Sequence, residues 1–228
     1  MGSVAARRRV EVKLYIVAVA QQKGGAGKTT LSTHLGCAAQ LVGTRTVFFD
    51  CDPQGTLGEW WKAREAETPA LSAATVAQLP ERLKELGAAG YQLAVIDTPP
   101  GVGPEVEKIL KLADLVLVPV RPSPNDLRAV GGTIDLVKKA GRRWAFIANA
   151  VKSRSNLTAQ AVAALSVHGQ IAPVLVGDRT DFVASMTDGR TALETAPASK
   201  GAAEIRALWT WVRGELVTVR PAEKKVLA

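Results

Sequence analysis

The chain has 228 residues, 47% hydrophobic and 22% charged, enough apolar content to bury a sizeable core and too much for a disordered or low-complexity polypeptide. Lys and Arg outnumber Asp and Glu by 29 to 21, and the net charge of +8 leads us to expect an anionic partner, nucleic acid or acidic lipid; a soluble protein that is merely basic is the alternative. The two cysteines, Cys37 and Cys51, lack the paired spacing of a zinc or cluster site, so both read as small buried thiols of a reducing cytoplasm.

Residues 1–13 read as a basic tail around Arg7 to Arg9, and Ala6 stands where an N-myristoylation signal needs Ser or Thr. LYIVAVA (14–20) is too short to span a bilayer and runs into a glycine loop, so it is expected as a buried strand. A helix follows from Lys28, with Leu31, Leu35, Ala38 and Val42 on one stripe. TVFFD (46–50), QLAVID (92–97), DLVLVPV (114–120), WAFIANA (144–150) and APVLVG (172–177) are further strands. Their nearly unbroken hydrophobicity is the mark of a parallel sheet covered on both faces. Near the end, Ile205, Leu208, Trp209 and Val212 recur at a helical period. The alternation predicts an α/β fold, a doubly wound, mostly parallel sheet with helices on both faces. It is expected as one domain over 14–218 with a short tail at 219–228, and the dozen residues before the first strand leave no room for a separate N-terminal DNA-binding module.

In such a sheet, ligands sit at the carboxyl ends of the strands, where three polar motifs fall. The first is QQKGGAGKTT (21–30). Gly27, Lys28 and Thr29 end a phosphate-binding P-loop, but Gln22 stands where its first glycine belongs, and an extra Lys23 precedes Gly24, Gly25 and Ala26. The glycines allow backbone N–H groups to turn onto phosphate oxygens at a helix N-terminus, with Thr30 completing the loop. Lys28 would reach the β- and γ-phosphates and the Thr29 hydroxyl would bind Mg²⁺. The second motif is FFDCDPQG (48–55): of Asp50 and Asp52, one could orient a water and the other support the metal shell, and an Asp-rich turn is the plain alternative. The third is AVIDTPPG (94–101), whose Asp97 can hold Mg²⁺ through water while Thr98 to Gly101 sense a γ-phosphate.

Together KGGAGKTT, DCDPQG and VIDTPPG resemble the deviant Walker ATPases of the ParA/MinD family. The resemblance extends through EWWKA, VPVRPSPNDLRAVG (118–131) and ASKGAAEIRALW (198–209), and is closest to the small, ParF-like partition ATPases that lack a helix-turn-helix domain. It implies that Lys23 is a signature lysine reaching the nucleotide of a second subunit, so that ATP lies within a sandwich homodimer. It also implies that Asp52 orients the attacking water, and that Asn149 contacts the adenine or instead caps the next turn. Further implications are ATP and Mg²⁺ as cofactors, non-specific double-stranded DNA and a ParB/ParG-like adaptor as partners, and a cytoplasmic, nucleoid-associated location. Lys200, Arg179, Arg206 and Arg213 are the candidate DNA contacts, each with a solvated face as its alternative; Lys138, Lys139, Arg142 and Arg143 form another basic cluster.

Two rivals share parts of this pattern. A membrane-cycling ATPase of the MinD type needs a C-terminal amphipathic anchor, and GELVTVRPAEKKVLA is interrupted by Pro221, so no stable membrane anchor is expected. A metabolic P-loop enzyme or iron–sulfur carrier would need cluster-ligating cysteines late in the chain, and both cysteines lie before residue 52.

Overall fold

The structure is a computed structural model that describes residues 13–153 and 155–218. The expected Arg7 to Arg9 tail and the tail at 219–228 lie outside the described residues. Six strands form one sheet: β1 (Tyr15–Val19), β2 (Thr46–Asp50), β3 (Ala70–Leu71), β4 (Leu93–Asp97), β5 (Leu115–Val120) and β6 (Arg143–Ala148), in the order β3-β2-β4-β1-β5-β6 with every pair parallel. The helices in chain order are α1 (Lys28–Leu41), α2 (Thr56–Lys62), α3 (Leu79–Ala88), α4 (Pro104–Leu112), α5 (Pro124–Ala129), α6 (Gly131–Ala140), α7 (Asn156–Ser166), α8 (Thr180–Ser185), α9 (Ala192–Thr195) and α10 (Lys200–Val217). No described helix is long and apolar enough to cross a membrane.

The sheet is buried on both sides, as the continuous apolar strands require. On one face Leu31, Leu35 and Ala38 of α1 pack with Ile205, Leu208 and Val212 of α10 over Val17 and Val95. On the other, Leu83 of α3, Ile109 of α4 and Val137 of α6 cover Ala18, Ile96 and Val118. The chain doubles back across β1: the path through β2 and β3 lies to one side, and β5 and β6 to the other. The loops leaving the carboxyl ends of β1, β4 and β5 therefore converge on one crevice.

Three expectations need correction, and one strand was not expected. The segment 172–177 is not a sheet strand: it makes isolated bridges, Phe146 to Ile171 and Val151 to Gly177, and between them Leu175 turns outward, 44% exposed. The two-residue β3 pairs with Val47 and Phe48 but is too short to carry a periodic signal. Val42 lies just past the end of α1 and is 58% exposed, off the buried stripe. Cys51 is half-buried, whereas Cys37 is buried as expected, and burial pushes both thiols up to about 12.

Two close fits fix α1 in place. Gly36 leaves room for the Phe48 ring, since a Cβ there would lie 2.2 Å from Phe48 Cε1. His34, fully buried, donates from Nδ1 to the Thr30 carbonyl at 2.8 Å and accepts at Nε2 from the Ala192 N–H at 3.1 Å, which ties α1 to α9 and fixes a neutral ring. Its burial lowers the imidazole from 6.5 to about 4.

Gly36→Ala is expected to cost about 1–3 kcal/mol of stability by overpacking against Phe48, measured by urea unfolding, with Phe48→Leu recovering part of the loss. His34 binds its proton at higher pH when unfolded than when folded, so its contribution is complete above pH 6.5 and is lost as pH falls toward 4, by roughly 3 kcal/mol in all. NMR titration of the ring should show it neutral until near pH 4; a midpoint near 6.5 would contradict the buried, accepting Nε2.

Candidate functional site

The loop from Gln21 to Gly27 joins the end of β1 to α1. Gly25 and Gly27 have φ of +74° and +91°, the left-handed region in which a side chain is strained. Gly27 is the residue before the first helical turn of α1, so the unpaired N–H groups of that turn face the loop's concavity. Gln22, in place of the usual glycine, has an ordinary φ, and its backbone N–H donates to Thr133 Oγ1 at 3.0 Å. The same hydroxyl donates to Gln21 Oε1 at 2.7 Å, and Gln21 Nε2 donates to the Pro119 carbonyl at 3.1 Å. Across the loop, Asn149 Nδ2 donates to the Ala26 carbonyl at 2.8 Å. A Cβ on Gly27 would come within 2.4 Å of that nitrogen.

The acidic residues divide by task. Asp97 is fully buried at the end of β4; its Oδ2 accepts from Thr29 Oγ1 at 2.6 Å and its Oδ1 from Ser32 Oγ at 3.2 Å. Loss of water raises its carboxyl to about 7 against those hydrogen bonds, with Asp50 adding repulsion and Lys28 opposing it. Asp50 stands beside Asp97 in the β2–β4 register, but its oxygens accept from the N–H groups of Asp52 at 3.1 Å and Gly58 at 2.8 Å, so it shapes the following turn and anchors α2. Asp52 lies half-buried in that turn, its Oδ1 accepting from the Gln54 N–H at 3.0 Å. Lys28 is buried at the helix start. Thr30 supplies the carbonyl that holds His34 and Thr33. Thr98 is buried, donating to the Val19 carbonyl at 3.0 Å.

Lys23 does not point into its own loop. Its ammonium pairs with Asp126 of α5 at 3.0 Å, with 40% of the lysine side chain exposed and 8% of the aspartate's. Asp126 is held in turn by the Ser123 hydroxyl. Beyond Ser123 lies a cavity of about 340 Å³ lined by Arg121, Ala150, Lys152, Ser155 and Asp178, among others, with Ala150 in the left-handed region at φ +51°. Reading the sequence missed Thr133, Asp126 and this cavity; the run SPND, a Ser N-cap with an Asp three residues on, was the available sign of a helix start that could present a carboxylate.

The four candidate DNA contacts are differently placed. Lys200, Arg206 and Arg213 are exposed on α10, with Arg206 Nη2 donating to the Pro197 carbonyl at 2.5 Å. Arg179 instead pairs with Glu204 at 2.5 Å. Of the second basic cluster, Arg143 caps the carbonyl end of α10 through Glu215 and Thr218, and Lys139 pairs with Glu107 at 2.7 Å.

A loop with two left-handed glycines, an ammonium-bearing helix start and a Thr–Asp pair fit a Mg²⁺–nucleotide: phosphate oxygens suit the N–H groups and Lys28, and a hydroxyl with a carboxylate suits a hard cation that keeps its waters. Residues 17–191 match the CobQ/CobB/MinD/ParA nucleotide binding domain, more than half of the chain. The protein belongs to this family. It is 32% identical over 154 residues to the maintenance of carboxysome distribution protein A of Halothiobacillus neapolitanus, covering 64% of this chain and 71% of that protein. It is 28% identical over 237 residues to the chromosome-partitioning ATPase Soj of Thermus thermophilus, covering 87% and 95%. Its fold matches MinD of Pyrococcus horikoshii, solved with Mg-ADP, at a TM-score of 0.72 with 20% identity over 88% of this chain and 96% of that one. The ParA/MinD family is thus shown, with its P-loop NTPase fold.

Gly27→Ala should weaken binding of a fluorescent ADP analogue about tenfold or more while the chain stays folded, since a left-handed residue with a side chain costs roughly 1–3 kcal/mol and the added methyl strikes Asn149. Asn149→Ala in addition should restore only the part due to the collision. Unchanged nucleotide affinity in Gly27→Ala would remove this loop as the phosphate site.

Proposed function

We propose that this protein is a ParA-type positioning ATPase: ATP binding forms a sandwich homodimer, the dimer binds double-stranded DNA without sequence preference, and a ParB/ParG-like adaptor on the cargo stimulates hydrolysis. Such a protein would work in the cytoplasm, on the nucleoid. The observation that carries this reading is Lys23, a P-loop ammonium turned outward, 40% exposed and paired with the buried Asp126. The ammonium end of the pair reaches solvent, and buried Asp126 keeps the Ser123 hydroxyl as a partner when the lysine swings to a partner's phosphate, which offsets part of the cost of leaving that carboxylate. A cation delivered in trans at the phosphates would make turnover depend on dimerisation.

Bound Mg²⁺–ATP would supply the phosphoanhydride and a cation that neutralises its oxygens. The chain's part is placement. The N–H groups of Gly24 to Gly27 and the Lys28 ammonium would hold phosphate oxygens, and the Thr29 hydroxyl and Asp97 would hold the hydrated ion, with Asp50 setting the turn beside them. Asp52 would accept a hydrogen bond from water and orient it for attack. Asn149 and the cavity beyond it would receive the base.

The cargo class follows the relatives only loosely. One is named for carboxysome distribution and another for chromosome partition, so a large protein assembly and a DNA locus are both in range. The net charge of +8 and the exposed Lys200, Arg206 and Arg213 support a polyanionic surface as the track.

The test is binding to random-sequence duplex DNA with ATP, with ADP and without nucleotide, over a salt series, with liposomes as the contrasting surface. Tight, salt-sensitive binding only with ATP is expected; indifference to nucleotide, or capture by liposomes instead, would sink the reading. Lys28→Ala should lose all nucleotide response. Lys23→Gln should bind ATP yet remain monomeric, and Asp52→Ala should retain ATP-dependent DNA binding while losing turnover.

A further inference from the structure

Arg179 and Glu204 join two parts of the molecule. Arg179 leaves the segment 176–179, which is hydrogen-bonded to the loop after β6: Val151 N–H to the Val176 carbonyl at 3.0 Å and Asp178 N–H to the Val151 carbonyl at 2.9 Å. That loop begins at Asn149, which braces the P-loop, and Ala150 and Asp178 line the cavity next to it. Glu204 belongs to α10. One of its oxygens accepts from the Gly177 N–H at 2.9 Å and the other from Arg179 Nη2 at 2.5 Å, so one carboxylate fastens both the segment and its cation. The guanidinium is folded back over Gly177, where a Cβ would lie 2.5 Å from Arg179 Nε. The side chain also runs along the first turn of α10, its Cγ being 3.6 Å from a Cβ built on Gly201, beside the exposed Lys200.

Among the candidate DNA contacts, Arg179 is therefore the one that an ion pair between described residues neutralises. Solvent reaches the pair, with 32% of the arginine side chain and 19% of the glutamate's exposed, so the cation is not locked in a dry core. In a half-buried pair of this kind the guanidinium can exchange one anion for another at the solvent edge, and Glu204 keeps the Gly177 N–H as a partner when it does.

We propose that Glu204 is an intramolecular stand-in for DNA phosphate: it masks Arg179 in the nucleotide-free chain and releases it when the segment 176–179 shifts on filling of the adjoining cavity. This rests on the DNA-binding reading above and adds its regulation. The mask makes the nucleotide-free protein less cationic at the first turn of α10, where Lys200 also sits, and ties the exposure of Arg179 to the nucleotide.

The test compares wild type, Glu204→Gln, Arg179→Gln and the double variant by anisotropy of a labelled random-sequence duplex across a salt series, with and without ATP. Glutamine keeps an acceptor for the Gly177 N–H and removes only the charge. Without nucleotide, Glu204→Gln should bind more tightly than wild type, with a log–log salt slope steeper by about 0.9, the value of one phosphate contact. The gain should vanish in the double variant. The same gain in the double variant would mark a general effect of net charge and overturn the mask, as would an unchanged slope in Glu204→Gln. If Glu204→Gln fails to fold, Arg179→Gln carries the test: its slope should be shallower by about 0.9 with ATP and unchanged without it, and equal changes in both states would overturn the proposal. Wild type that never binds DNA would defeat the DNA reading and the mask with it. Wild type that binds only with ATP, beside an unaltered Glu204→Gln, would leave that reading standing and remove the mask alone.

Discussion

A carboxylate with no contact with water governs the centre of this protein. Asp97 sits at the end of a central strand, and a charge buried there is tolerable only with hydrogen bonds or a cation. Thr29 and Ser32 supply the first from successive turns of α1, so the burial of one side chain fixes the roll and distance of the P-loop helix against β4. Asp50 in the neighbouring register adds negative charge at the same sheet edge. Even with its hydroxyl partners the carboxyl is held near 7, and a bound cation would relieve the remaining cost.

The loop's own shape is imposed from outside it. Thr133 fixes its entrance and Asn149 its far side, two residues from different elements closing on a segment with little side-chain bulk. A second brace lies under α2. The Arg64 guanidinium, 5% exposed, donates to the carbonyls of Thr68 and Gly189 and to both oxygens of Glu194, and Trp60 Nε1 donates to the Arg190 carbonyl at 3.0 Å. Such a charge-assisted fork holds direction as well as distance. Glu194 also closes the capping box that starts α9, so the end of α2, the helix α9 and, through His34, the helix α1 share one junction.

The parts legible in the sequence were those encoded over short distances. Strands read as apolar runs because both sheet faces are covered, and the glycine loop read as a phosphate cradle because left-handed backbone demands glycine at Gly25 and Gly27. The segment 172–177 looked equally strand-like, and its Pro173 does not set it apart, since β5 carries Pro119 and still pairs on both sides. Asp50 and Asp52 looked interchangeable, and their division of labour appears only when Gly58, eight residues on, is seen donating to one of them. Lys23 with Asp126 and Gln22 with Thr133 lie more than 100 residues apart in sequence, a separation at which one chain carries no pattern to read. The same holds for Arg179, whose surface position was anticipated and whose neutralising partner was not.

The packing of α1 on α10 has a consequence for how the molecule is made. Leu31, Leu35 and Ala38 leave a ribosome more than 160 residues before Ile205, Leu208 and Val212, which cover them. Until α10 emerges, the helix that starts at the nucleotide loop carries an uncovered greasy stripe, and the β-sheet lacks part of the lid on that side. Completion of this face is thereby deferred until α10 has been made, so the nucleotide-loop helix cannot be fully seated while the intervening strands are being added.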